Sequence, residues 1–125
     1  MLLDYKKIDP ELLPALEDFP ALDLNRDNIV KMRELLAQRP TVPSAVAVSE
    51  EEQVIDTKDG ALRVFIYRKT NAANQPALLW VHGGGYILGT AKDERARVIA
   101  DAFDCTVVSV DYRLAPEAPF PAGPN

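Results

Sequence analysis

Leu79-Trp80-Val81-His82-Gly83-Gly84-Gly85-Tyr86 is the stretch of this 125-residue chain that carries most chemistry, and nearly all of it is backbone. Glycine tolerates positive φ and lets another group approach the main chain closely, so N–H groups in such a loop can converge on one oxygen. An oxygen that becomes anionic in a transition state is the natural guest. Each preorganised donor of that kind is worth about 100- to 1,000-fold in rate. A glycine loop ahead of a helix can also cradle phosphate. That use is the weaker one here, because there is no G-x-G-x-x-G, no Lys-Ser or Lys-Thr pair following the glycines and no ribose-binding acid at the expected spacing. His82, the only histidine, reads as a hydrogen-bonding group that orients the loop, since a general base has little to do without a nucleophile beside it.

A second motif lies downstream: Val107-Val108-Ser109-Val110-Asp111-Tyr112-Arg113-Leu114-Ala115-Pro116-Glu117, followed by Pro119-Phe120-Pro121. Together the two segments resemble the hormone-sensitive-lipase branch of the α/β-hydrolases, whose members carry His-Gly-Gly-Gly-aromatic and then Asp-Tyr-Arg-Leu-Ala-Pro-Glu at about this separation. In that family the glycine loop joins the third strand to the first helix and helps form the oxyanion hole. The resemblance implies that Gly84 and Gly85 are the N–H donors, that Gly83 shapes the turn, and that His82 supports it. Tyr86 takes the aromatic position after the glycines, either as a wall of the acyl or alcohol pocket or as packing.

The family triad runs Ser, then Asp or Glu, then His. No Gly-x-Ser-x-Gly elbow occurs in these residues, and His82 comes too early to be the triad histidine. The expectation is therefore an N-terminal portion, less than half, of a serine carboxylic-ester hydrolase acting on short to medium acyl esters. It would depend on the remainder of the hydrolase fold and be inactive alone. The implied partner is a small-molecule ester, with no metal and no cofactor. Two other readings stay open: a small-molecule-binding protein on the same scaffold, as in the plant gibberellin receptor, and an inert or interaction module.

Other reactive residue types have structural readings. Asp111 precedes the family acid's place in the order and suits a turn and salt bridge. Ser109 sits inside an apolar strand without flanking glycines, Cys105 lacks a basic neighbour, and Trp80 precedes the loop on the strand; all three read as core.

The elements that must position the loop follow from pattern. Ala77 to Val81 is too short and too uniformly apolar for a core helix, so it reads as a strand covered on both faces. A helix from Ala91 to Phe103 follows, with Thr90 and Asp93 as a capping box and Ala96, Ile99 and Phe103 buried, and then a strand from Cys105 to Val110. Strand, helix and strand imply a right-handed crossover between parallel strands. Upstream, Gln53 to Thr57 and Ala61 to Arg68 alternate around Lys58-Asp59-Gly60 as a hairpin, with Leu62, Val64 and Ile66 on one face and Phe65 and Tyr67 on the other. Thr41 to Glu52 reads as a linker. Before it, Asp9-Pro10 starts a helix with Leu12, Leu13, Leu16 and Phe19 on its apolar edge. A second helix runs from Arg26 to Gln38, with Ile29, Met32, Leu35 and Leu36 at helical spacing, and Arg39-Pro40 stops it.

The expected architecture is α/β: the first part of an α/β-hydrolase fold, a mostly parallel sheet with an antiparallel N-terminal hairpin, over residues 46–125. The helices of residues 1–45 precede it, and the resemblance makes them part of a cap. In that fold the strand ending at His82 would neighbour the missing serine strand, so alone it leaves an apolar edge open to aggregation or to a homo-oligomer.

Composition narrows the partners. A net charge of −5 disfavours nucleic acid and anionic membrane surfaces. No run approaches the roughly 20 apolar residues of a membrane span, and the opening residues lack the apolar core of a signal peptide. One cysteine allows no internal disulfide and fits a reducing compartment, with the cytoplasm as the expected location.

Overall fold

A computed structural model of the chain describes residues 5–14, 24–38, 46–71 and 73–124. Strands β1 (Ser49–Thr57) and β2 (Gly60–Arg68) form an antiparallel hairpin in which Thr57 pairs with Gly60 across the two-residue turn Lys58-Asp59. Gly60 takes a φ of +116°, a left-handed conformation that explains why glycine follows the turn. β3 (Ala77–Val81) and β4 (Thr106–Val110) pair in parallel, and β4 also pairs antiparallel with β2, giving the order β1-β2-β4-β3. Helix α1 (Ile29–Ala37) lies before the sheet, and α2 (Glu94–Phe103) connects β3 to β4.

One face of the sheet carries Phe65, Tyr67, Val107 and Ser109, and α2 lays Ala96 and Ala100 against that core. Small residues there let helix and sheet approach closely. Ser109 is satisfied within the core by donating to the Ala91 carbonyl at 2.7 Å, and the Cys105 thiol points to the Ile99 carbonyl at 3.9 Å. Trp80 is half-buried beside the cluster and donates from Nε1 to Asp93 at 3.1 Å.

Several boundaries depart from expectation. β1 begins at Ser49, within the supposed linker, although Glu50, Glu51 and Glu52 are poor strand formers. As an exposed outer strand it tolerates them, because Lys92 and Arg97 pair with Glu50 at 3.0 and 3.4 Å, Arg68 with Glu51 at 3.3 Å and Arg63 with Glu52 at 3.9 Å. α2 starts at Glu94, not Ala91, because Asp93 is the cap: its carboxylate accepts from the Arg95 amide at 3.0 Å, while Thr90 only accepts from Lys92 N–H at 3.3 Å. Phe103, expected to be buried, is 73% exposed, since the buried stripe centres on Ala96 and Ala100.

β3 is covered on one face only. Leu79 and Val81 stand 65% and 56% exposed, because nothing described packs over the side of the sheet opposite α2 at that edge. β2, by contrast, buries both alternating sets, Val64 and Ile66 as well as Phe65 and Tyr67.

Near the N-terminus, Asp9 caps as expected, accepting from the Glu11 amide at 3.0 Å, but the turn over Pro10–Leu12 is 3-10 and Leu12 is exposed. Leu16, Phe19, Arg39 and Pro40 lie outside the described residues. α1 starts later than Arg26 because Asn25 Oδ1 accepts from the Asp27 and Asn28 amides at 3.0 and 3.1 Å, which holds 25–28 as a side-chain-bonded turn. Ile29 is its buried residue, Met32 and Leu36 are half-buried and Leu35 is exposed.

Candidate active site

The loop after β3 is a tight turn built on the Gly84 carbonyl, which accepts from Ile87 N–H at 3.1 Å and Leu88 N–H at 2.9 Å. Positive φ falls on Gly84 (+127°), Gly85 (+62°) and Gly89 (+102°), so these positions bend the chain. A Cβ on Gly84 would overlap the Leu88 carbonyl, and one on Gly89 would overlap His82 Nδ1 and the Gly83 carbonyl. Gly83 differs from the reading of it as the turn-shaping glycine: its φ is not left-handed and a Cβ there would meet nothing within 4 Å. Gly89 escapes a sequence reading because it stands apart from the glycine run.

Among the described residues, the amides of Gly84 and Gly85 donate to no protein acceptor, and both residues are exposed. Tyr86 shares the left-handed backbone, with φ +62°. Such a conformation is uncommon for a large side chain and marks a position held by its surroundings. What holds it is the second motif: Ala115 N–H donates to the Tyr86 carbonyl at 2.8 Å, and the Tyr86 ring meets Tyr112 edge-on at 5.7 Å.

His82 is buried, 4% exposed. Its Nδ1 lies 2.9 Å from the Gly83 carbonyl, a contact in which Nδ1 carries the hydrogen. Nε2 is buried and has no hydrogen-bond partner among the described residues. The imidazole stacks on the Tyr112 ring at 4.2 Å and 15°, and the Tyr112 hydroxyl donates to the His82 carbonyl at 2.6 Å. Burial, followed by the influence of Tyr86, raises the Tyr112 pKa above its ordinary value, which keeps that hydroxyl a donor. Tyr112 thus joins the two motifs. The motif itself was the only sequence signal for that role.

Asp111 forms the expected salt bridge, but with Arg63 on β2, whose Nε and Nη2 lie 2.9 and 2.5 Å from one carboxylate oxygen. Arg33 of α1 is another residue that sequence reasoning does not single out. Its guanidinium donates to the Ile87 carbonyl at 2.8 Å, the Ala115 carbonyl at 2.5 Å and Glu117 at 2.7 Å. Hydrogen bonding from Arg33 holds the Glu117 carboxyl below the usual glutamate range.

An open groove of about 400 Å³ runs along the uncovered side of the sheet from Leu79 and Val81 past Tyr112 to Tyr86 and Gly123. Tyr86 is therefore a wall of a concave surface. Among the described residues, no group of three or more His, Cys, Asp or Glu side chains comes together to hold a metal ion, and no helix is long and apolar enough to cross a membrane.

Comparison with known proteins finds similar sequences and folds. A family profile described as alpha/beta hydrolase fold matches residues 78–125. The chain is 37% identical over 120 residues to Esterase LipI of Mycobacterium tuberculosis, covering 92% of this chain and 38% of that protein. It is 39% identical over 93 residues to an arylesterase of Saccharolobus solfataricus, covering 73% of this chain and 30% of the relative. Among solved structures, a Pyrobaculum calidifontis esterase superposes with a TM-score of 0.71 at 30% identity, covering 93% of this chain and 39% of its own. The chain therefore spans about two fifths or less of the length of these relatives.

Proposed function

Because the chain belongs to the α/β-hydrolase family, we propose that it is the oxyanion-binding part of a serine carboxylic-ester hydrolase. The observation that carries this reading is the pair of unengaged amides at Gly84 and Gly85, on a turn whose backbone only glycine adopts readily. Relatives named as esterases support it.

In the proposed reaction a serine from the remainder of the fold attacks the ester carbonyl while a base takes its proton. The carbonyl oxygen becomes anionic and lies against the Gly84 and Gly85 amides. Collapse expels the alcohol with that proton, and water then hydrolyses the acyl-enzyme by the same steps. Within this scheme His82 fixes the loop through Gly83 and Tyr112, Tyr86 borders the substrate, residues 1–45 contribute to a cap and residues 46–125 begin the catalytic core.

Replacing the Gly85 N–H by an ester oxygen in the whole protein removes one donor and keeps the loop's shape. The kcat for p-nitrophenyl acetate should fall about 100- to 1,000-fold with KM little changed. An unaltered kcat would overturn the reading. Tight ester binding without turnover by the unmodified protein would favour the receptor-like alternative instead. Residues 1–125 alone should be silent toward the same ester.

A further inference from the structure

We propose that Arg33 is a positioning residue for the oxyanion loop, acting as a clamp from α1 on the two motif loops at once. The inference rests on the ester-hydrolase reading but adds to it a residue that acts through the loop backbone.

Three acceptors meet one guanidinium. Nε reaches the Ile87 carbonyl, Nη2 the Ala115 carbonyl, and Nη1 the Glu117 carboxylate. The two carbonyls belong to loops already bonded to each other, through Ala115 N–H and the Tyr86 carbonyl at 2.8 Å. Ile87 in turn donates its own N–H to Gly84, so the residue that Arg33 holds by its carbonyl is the one that closes the glycine turn by its amide. The Arg33 side chain is 23% exposed and its bonds to the two carbonyls are partly shielded from water, whereas its partner Glu117 is 54% exposed.

Only the planar fork of arginine can serve three acceptors in these directions; an ammonium is a point charge with no fixed plane. The clamp also explains why α1 is polar where a packing helix would be apolar. A small displacement of the Gly84 and Gly85 amides would weaken their hold on a transition-state oxygen more than their contact with a resting substrate. That makes the expected signature a loss in kcat, with KM preserved.

The test compares Arg33→Met and Arg33→Lys in the whole protein, with p-nitrophenyl acetate kinetics and amide hydrogen exchange at Ile87 and Leu88. Arg33→Met should lower kcat about 10- to 100-fold, the scale of an ångström-level misplacement, with KM within about threefold. Exchange at Ile87 and Leu88 should accelerate while Val107 to Val110 keep their protection. Arg33→Lys should remain impaired, and it carries the test if Arg33→Met does not fold. Wild-type kcat in Arg33→Lys would overturn the fork, showing that charge alone suffices. A rise in KM at constant kcat would overturn the positioning role. If the unmodified protein hydrolyses no ester, the enzyme reading fails by itself; exchange at Ile87 and Leu88 then decides the clamp, with unchanged rates in both variants overturning it.

Discussion

At the scale of single residues, the glycines of the loop are not equivalent. Gly83→Ala adds a methyl to open space on an unremarkable backbone and should cost under about 1 kcal/mol. Gly85→Ala also finds open space but at φ +62°, which should cost about 1–2 kcal/mol. Gly84→Ala and Gly89→Ala drive a carbon into neighbouring backbone or the His82 ring and should lose several kcal/mol. Urea unfolding of the four variants checks that order, and equal losses would contradict the loop geometry. Tyr112→Phe keeps the stack on His82 but leaves a buried carbonyl without its donor, so it should cost about 1–3 kcal/mol in the same assay. The site was partly legible at this scale. The run of glycines, His82 and Tyr86 announce themselves in sequence, whereas Arg33 reaches acceptors 54 and 82 positions away and nothing local marks it.

Among elements, α2 is tied down at its start by Asp93. It caps the helix, bonds Trp80 on β3 and binds Arg95 at 2.6 Å. Burial works against its ionisation, yet the bonds from Arg95 and Trp80 outweigh burial and hold its carboxyl below the usual aspartate range. A lowered folded pKa contributes stability above the unfolded value, near 3.9, that disappears as pH falls through the folded value. Asp93→Ala should thus cost about 0.5–2 kcal/mol at neutral pH. The gap to wild type should narrow in acid. Tyr67 works at the opposite end: burial first, then Glu50, pushes its pKa up to about 12. Its stabilisation is intact below the unfolded value of about 10 and drains away between there and about 12, so Tyr67→Phe should flatten the alkaline limb of a stability profile. β3 was legible to the residue because its apolar run is bounded by Pro76 and by His82-Gly83. The start of β1 was not, since three glutamates become strand only where cations from β2, α2 and the loop before it neutralise them. Thr90 and Asp93 both offered a cap; the Arg95 amide bonds Asp93, and the tertiary bond from Trp80 fixes that carboxylate in place.

For the molecule as a whole, the sheet order leaves β3 at an edge with Leu79 and Val81 turned outward. Unpaired apolar strands invite pairing between copies. Residues 1–125 expressed alone should associate, and Leu79→Lys should shift the population toward monomer in size-exclusion chromatography; a sharp monomer peak with cooperative melting for the parent chain would contradict this. The α/β class and the hairpin ahead of the parallel pair were legible from alternation and element order. The one-sided cover of β3 was not, because an apolar run reads the same whether its neighbours lie within these residues or elsewhere.

The seam between Tyr112, Ala115 and the loop after β3 bears on how such a site could be redesigned. Its curvature is not self-contained: the Tyr86 peptide and the His82 carbonyl are each held from residues 112–115. Grafting the glycine segment alone onto a foreign scaffold would transplant a sequence without its mould. A chimaera meant to accept bulkier acyl groups would have to exchange both stretches as a matched set, choosing a donor pair that evolved together.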